Sequence, residues 1–121
     1  MNSFFLLAVA TTSPAPACAY NYIDDTLGYA AEPNVTFEAA ALGWFFKGEL
    51  IQYRDGYYAK YGRPRPFAPF EIEPVGKKGN IPIFIETWQD ADAPDIVYVM
   101  AKSAGCLFQT YKRQYNPMPP E

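Results

Sequence analysis

A chain of 121 residues with 50% hydrophobic, 17% aromatic and 19% charged positions suits one small folded domain and excludes both a disordered tail and a two-domain arrangement. Its net charge of -3 comes without a single histidine, which removes the usual general base at neutral pH, the commonest metal ligand and every triad built on imidazole. Twelve prolines, about twice ordinary usage, argue against a helical bundle.

Nine Phe, ten Tyr and two Trp can bury a large area, but so short a chain hides only about two thirds of its unfolded surface, so aromatic surface is left for a partner. Cys18 and Cys106 are too few for a zinc site or a disulfide scaffold, although they admit one bridge. Gly105 and Leu107 surround Cys106 with apolar character, which also reads as a buried, inert thiol. No catalytic residue, metal or organic cofactor is therefore expected.

The N-terminus poses a targeting question. Phe4 to Ala10 reads FFLLAVA, and the next stretch ends in the small-x-small triplet Ala17-Cys18-Ala19, as in a secretory signal cleaved before Tyr20. Such a cut would leave Cys106 without its potential partner. Residues 1–46 hold no Lys or Arg, which weakens the signal reading and excludes an Arg-rich transit peptide in that segment. The other reading is an apolar arm laid against a partner, since seven residues cannot span a bilayer. The domain organisation is thus 1–19, an apolar arm or signal peptide, and 20–121, one small domain.

Thr36 opens a helical pattern, with Asn34 or Thr36 as N-cap and Glu38 in the first turn. Leu42, Phe46, Leu50, Tyr53, Tyr57 and Tyr61 recur at helical spacing and predict one buried face. Asp55-Gly56 divides this helix and Gly62-Arg63-Pro64 ends it. Residues 63–75, RPRPFAPFEIEPV, form a Pro-rich strap, neither helix nor central strand. Gly76-Lys77-Lys78-Gly79-Asn80 is a turn, and the alternation from Ile81 to Trp88 predicts a strand that Pro82 confines to an edge. From Pro94 to Tyr115, Val97, Met100, Ala104, Leu107 or Phe108, and Tyr111 fit a second helix ended by Asn116-Pro117. A hairpin of IVYVMAK and CLFQTYK around Ser103-Ala104-Gly105 competes with it, and the helix is preferred because caps and terminal charges agree at both ends. Neither 35–46 nor 96–111 reaches the length of a membrane span.

The fold expected is α+β or largely irregular: two helices at about 36–61 and 94–115, a Pro-rich strap, one edge strand and extended termini. Charges alternate in blocks, acidic over 1–46, basic from Lys47 to Pro66, acidic to Asp95 and basic in the tail, a pattern that suits a protein surface better than nucleic acid. Glu86, Asp90, Asp92 and Asp95 lack the Gly and Glu positions of a calcium loop. The pairs Asp24/Asp25 and Glu71/Glu73 read as surface charge. Arg54, Lys60, Arg63 and Arg65 interleave with tyrosines like a nucleic-acid stacking platform, but the helical stripe packs Tyr53, Tyr57 and Tyr61 and leaves Tyr58 free. Asn34-Val35-Thr36 is a glycosylation sequon, relevant to a secreted chain.

The function expected is that of a non-catalytic accessory or structural subunit of a larger, membrane-associated, organellar energy-transducing assembly. Its partners would be other protein subunits, with lipid or membrane contact and no nucleic acid. Contacts are expected at Phe4, Phe5, Leu6, Leu7, Arg54, Tyr58, Lys60, Arg63 and Arg65, and the chain alone is expected to be poorly stable. The alternative is a small secreted or periplasmic binding or inhibitor protein.

Overall fold

The computed structural model describes residues 16–115; the expected contacts Phe4, Phe5, Leu6 and Leu7 lie outside them. The strands are β1 (Ala17–Asn21), β2 (Thr26–Ala30), β3 (Ile51–Tyr53), β4 (Gly56–Pro66), β5 (Ile72–Lys78), β6 (Ile81–Glu86), β7 (Ile96–Lys102) and β8 (Leu107–Arg113). β1 and β2 pair as a separate hairpin, while the other six form one antiparallel sheet in the order β3-β4-β8-β7-β6-β5. Its outer strands curl toward each other until a side chain at Gly76 of β5 would meet the Tyr53 ring of β3 at 3.2 Å, so the sheet is nearly closed.

The two expected helices are absent. One helical turn, α1 (Gly43–Phe46), and 3-10 turns at Val35–Phe37, Ala39–Ala41 and Pro69–Glu71 are the helical content among the described residues. Where the helix over 36–61 was expected, β3 turns through Arg54-Asp55 into β4, with Tyr53 opposite Gly56. Burial therefore follows a period of two: Ile51, Tyr53 and Tyr58 are buried, while Gln52, Tyr57 and Tyr61 are exposed. Phe46, expected inside, is 72% exposed, and its neighbour Phe45 enters the core instead. The segment 94–115 is a hairpin whose four-residue loop, Ser103 to Cys106, joins Lys102 to its partner Leu107. Gly105 and Cys106 both take positive φ there, which a helix forbids.

The prolines fall where a ladder tolerates them. Pro64 lies in a bulge of β4, Pro66 ends that strand, and Pro74 is on the outer strand β5. Pro82 does not mark an edge, because β6 lies between β5 and β7. Its β7 pairing is registered at Phe84 with Tyr98, beyond the proline, so the missing N–H breaks no bond on that side. Gly79-Asn80 is the two-residue loop joining Lys78 to Ile81, with Gly79 at φ 61° in the first loop position.

Near-closure makes two cores from the two sheet faces. Odd-numbered residues of β6, β7 and β8 (Ile83, Ile85, Val97, Val99 and Tyr111) face inward onto Ile51, Tyr58 and Phe45. Even-numbered ones (Phe84, Tyr98, Met100 and Phe108) pack outward against Phe67, Tyr20 and Cys18. The β1–β2 hairpin covers this second core and is fastened to the β7–β8 loop by the Cys18–Cys106 disulfide. Both cysteines are buried, so the bridge stands in place of the expected inert thiol. Ser103 completes the fastening: its Oγ donates to the Cys18 carbonyl at 2.6 Å and accepts from the Asn34 N–H at 2.9 Å, and its N–H donates to Glu38 at 2.8 Å. A buried serine with every polar group bonded costs the fold little.

Candidate functional site

β4 sorts its side chains by the parity of a strand. Tyr58 is fully buried, donates its hydroxyl to the Pro94 carbonyl at 2.7 Å and receives Arg113; burial raises its pKa against the opposing pull of Arg113. Lys60 points the same way, its Nζ donating to the Phe45 carbonyl at 2.6 Å and lying 3.6 Å from the centre of that ring. These two expected contact residues therefore serve the interior. The expectation that Tyr58 alone would be free is reversed.

Tyr57, Ala59 and Tyr61 look outward. Register places Gln52 of β3 beside Tyr57, Lys112 of β8 beside Ala59 and Thr110 beside Tyr61. Tyr57 and Tyr61 are 44% and 58% exposed, and the Lys112 Nζ sits 4.6 Å from the Tyr61 ring centre. Beyond Tyr61 the register slips before resuming at Arg65 opposite Phe108. Gly62 takes φ 70° in this bulge, and the buried Gln109 donates to the Tyr61 and Gly62 carbonyls at 3.0 Å each. That side chain replaces the ladder bonds lost at the bulge and holds Arg63 out in solvent. Arg65 resumes the outward parity and lies over Phe67, guanidinium carbon to ring centre 4.7 Å.

The result is a face carrying two exposed tyrosines and three cations, Arg63, Arg65 and Lys112, with no carboxylate among Gln52, Tyr57, Ala59, Tyr61, Thr110 and Lys112. Arg54 stands apart from it. It occupies the β3–β4 turn at φ 52°, donates to the Tyr53 hydroxyl at 3.1 Å and approaches Asp92 at 3.7 Å, an exposed pair of little energetic weight. Of the expected contacts within the described residues, the structure brings Arg63 and Arg65 together and separates Arg54, Tyr58 and Lys60 from them. It adds Tyr57, Tyr61 and Lys112; a period-two reading from Asp55-Gly56 onward would have put the two tyrosines on one face, while Lys112 joins them through the β4–β8 register.

No group of three or more metal-ligating side chains occurs among the described residues. The carboxylate with the most developed surroundings, Glu86, accepts from the Tyr98 hydroxyl at 2.6 Å and the exposed Trp88 indole at 2.9 Å. No helix among the described residues is long and apolar enough to cross a membrane. Compared with known proteins, the chain matches no family model, no curated protein and no solved structure, so its function is argued from its own geometry.

Proposed function

We propose that this chain is a small, non-catalytic binding protein of an oxidising compartment, secreted or periplasmic, which docks an acidic protein surface on the face formed by Tyr57, Tyr61, Arg63, Arg65 and Lys112. The observation that carries the reading is the buried Cys18–Cys106 bridge: disulfides that fasten a small domain persist where the medium keeps thiols oxidised. This favours export over an organellar accessory subunit. Cys18 then belongs to the working protein, so an export signal would be removed within residues 1–16 rather than before Tyr20.

Tyrosines give broad contact area at low entropic cost, and arginine supplies planar donors to carboxylates. The local basic character stands on a chain of net charge -3, which favours a discrete acidic patch over a polyanion such as nucleic acid. Protein isolated from its source under alkylating, non-reducing conditions tests the first half: both cysteines should be bridged and the N-terminus should precede Ala17. Free thiols would overturn it. Carbodiimide cross-linking in the same preparation, which activates carboxylates toward lysine amines, tests the second half, with Lys112 expected to join Asp- and Glu-rich peptides of another protein. Labelling of Lys112 as a free surface amine, with no cross-link formed, would overturn the docking face.

A further inference from the structure

We propose that Asn34 is an N-glycosylation site, an inference that rests on the export reading. Asn34-Val35-Thr36 satisfies the acceptor sequence, with Val in the middle position. Short acceptor sequences often fall where a fold hides them; this one does not. Residues 32–36 are all exposed, Val35 to 69%.

The local geometry presents the reacting atom. Asn34 has extended backbone, φ -124° and ψ 111°, and its Oδ1 accepts the Thr36 N–H at 3.0 Å, an Asx turn. That bond occupies the oxygen of the carboxamide. Among the described residues neither the Asn34 Nδ2 nor the Thr36 hydroxyl has a hydrogen-bond partner. The Asn34 N–H is anchored on the buried Ser103 Oγ at 2.9 Å, so the backbone beneath the acceptor is fixed to the disulfide-bonded loop. A bulky group at Nδ2 would leave that loop undisturbed.

The transfer requires a glycosyl donor of the lipid pyrophosphate-linked class. The Nδ2 nitrogen attacks the anomeric carbon, the nitrogen–carbon bond forms, and the anomeric carbon–oxygen bond to the pyrophosphate breaks. The lipid pyrophosphate leaves with that bonding pair, and one amide proton passes to the transferase base. No oxidant or reductant is involved. Beside the acceptor, Tyr20, Tyr22 and Phe37 form one wall of a groove of about 380 Å³ that Asn34 and Thr36 also line. The Tyr22 and Phe37 rings are 6.2 Å apart and Tyr22 is 65% exposed. A first sugar ring has apolar faces to lie against there, and it would shield Tyr22 and Val35 from non-specific association.

The test uses protein made in its natural host and analysed without reduction. Digestion with a peptide N-glycosidase should release a glycan and convert Asn34 to Asp on peptide mapping. Asn34→Gln and Thr36→Ala should abolish the glycan, whereas Thr36→Ser should keep it. Bridged protein with a processed start and an unmodified Asn34 would overturn this proposal while leaving the export reading standing. Free thiols, an unprocessed start and no glycan would overturn both.

Discussion

Removing the bridge with Cys18→Ala/Cys106→Ala tests the energetic core of the structural account. The bridge joins positions 88 residues apart, and the chain-entropy expression for a closed loop of that length gives about 15 cal/mol/K, or about 4–5 kcal/mol at 25 °C. The folded state should keep its shape, because three further ties to the hairpin survive: the Ser103 hydroxyl on the Cys18 carbonyl, the Cys18 N–H on the Ser103 carbonyl and the Gly105 N–H on the Pro16 carbonyl. The loss is therefore carried by the unfolded chain, which gains freedom. Small domains are stable by only about 5–15 kcal/mol, so the variant should lie near the margin. Urea unfolding of both proteins is the assay. The midpoint should fall sharply and the m-value should rise, because a chain without its long loop exposes more surface on unfolding. If the variant is unfolded in water, the same curves measured in sucrose recover the difference. A loss below about 1 kcal/mol with an unchanged m-value would show that Ser103 and the second core hold the hairpin unaided, and the entropic argument would be refuted.

Two further predictions rest on strand parity and on burial. Phe45→Ala should cost about 3–5 kcal/mol and Phe46→Ala less than about 0.5 kcal/mol by thermal or urea unfolding, since one ring is buried under Lys60 and the other lies in solvent; equal effects would contradict the inward turn at α1. Burial pushes Tyr111 up to about 12, and burial with the hydrogen bond to Asp25 pushes Tyr20 up to about 12; burial and the Glu86 contact also raise Tyr98. A raised folded pKa means that the native state keeps protons the unfolded state has lost, so this stability is intact below about pH 10 and declines as pH rises toward 12. Following tyrosinate absorbance beside far-UV circular dichroism should show these phenols ionising last and together with unfolding. Tyr111→Phe should lessen the alkaline loss and cost almost nothing at neutral pH, because that hydroxyl has no hydrogen-bond partner among the described residues.

The loop at Gly79-Asn80 was legible because glycine and asparagine at loop positions act through φ alone, although Gly76, Lys77 and Lys78 of the turn expected at 76–80 belong to β5. The helices were misread for a specific physical reason. β7 reads IVYVMA, and every residue from Val97 to Ala101 is buried, because one sheet face meets the inner core and the other meets the hairpin. Burial on both faces erases the alternation that marks a strand, and a continuous apolar run then fits a helical period by default. From Leu42 to Tyr61 the coincidence was different. Tyr57 and Tyr61 share the outward face of β4, whereas Tyr53 on β3 stands opposite Gly56 and is buried with Tyr58, so a four-residue spacing carried across the Arg54-Asp55 turn joins residues of opposite faces.

The same ambiguity governed the candidate site, and it shows why site residues could not be chosen before the strand register. Tyr57, Tyr58, Lys60, Tyr61, Arg63 and Arg65 lie within nine positions, all of types suited to a docking face. Register turns Tyr58 into the core and the half-buried Lys60 to the same side, where their polar ends reach the Pro94 and Phe45 carbonyls, and leaves Tyr57 and Tyr61 outside. Without the bulge, strict alternation would carry Arg63 and Arg65 on with Tyr61, but position 65 could not then stand opposite Phe108 and place Phe67 on the second core. Gln109, two positions before Tyr111 on β8, makes the slip affordable by bonding both carbonyls that it strands. A buried glutamine forty-seven residues downstream of Gly62 thus supports the bulge that carries Arg63, a contribution that a period-two reading of the basic segment does not contain.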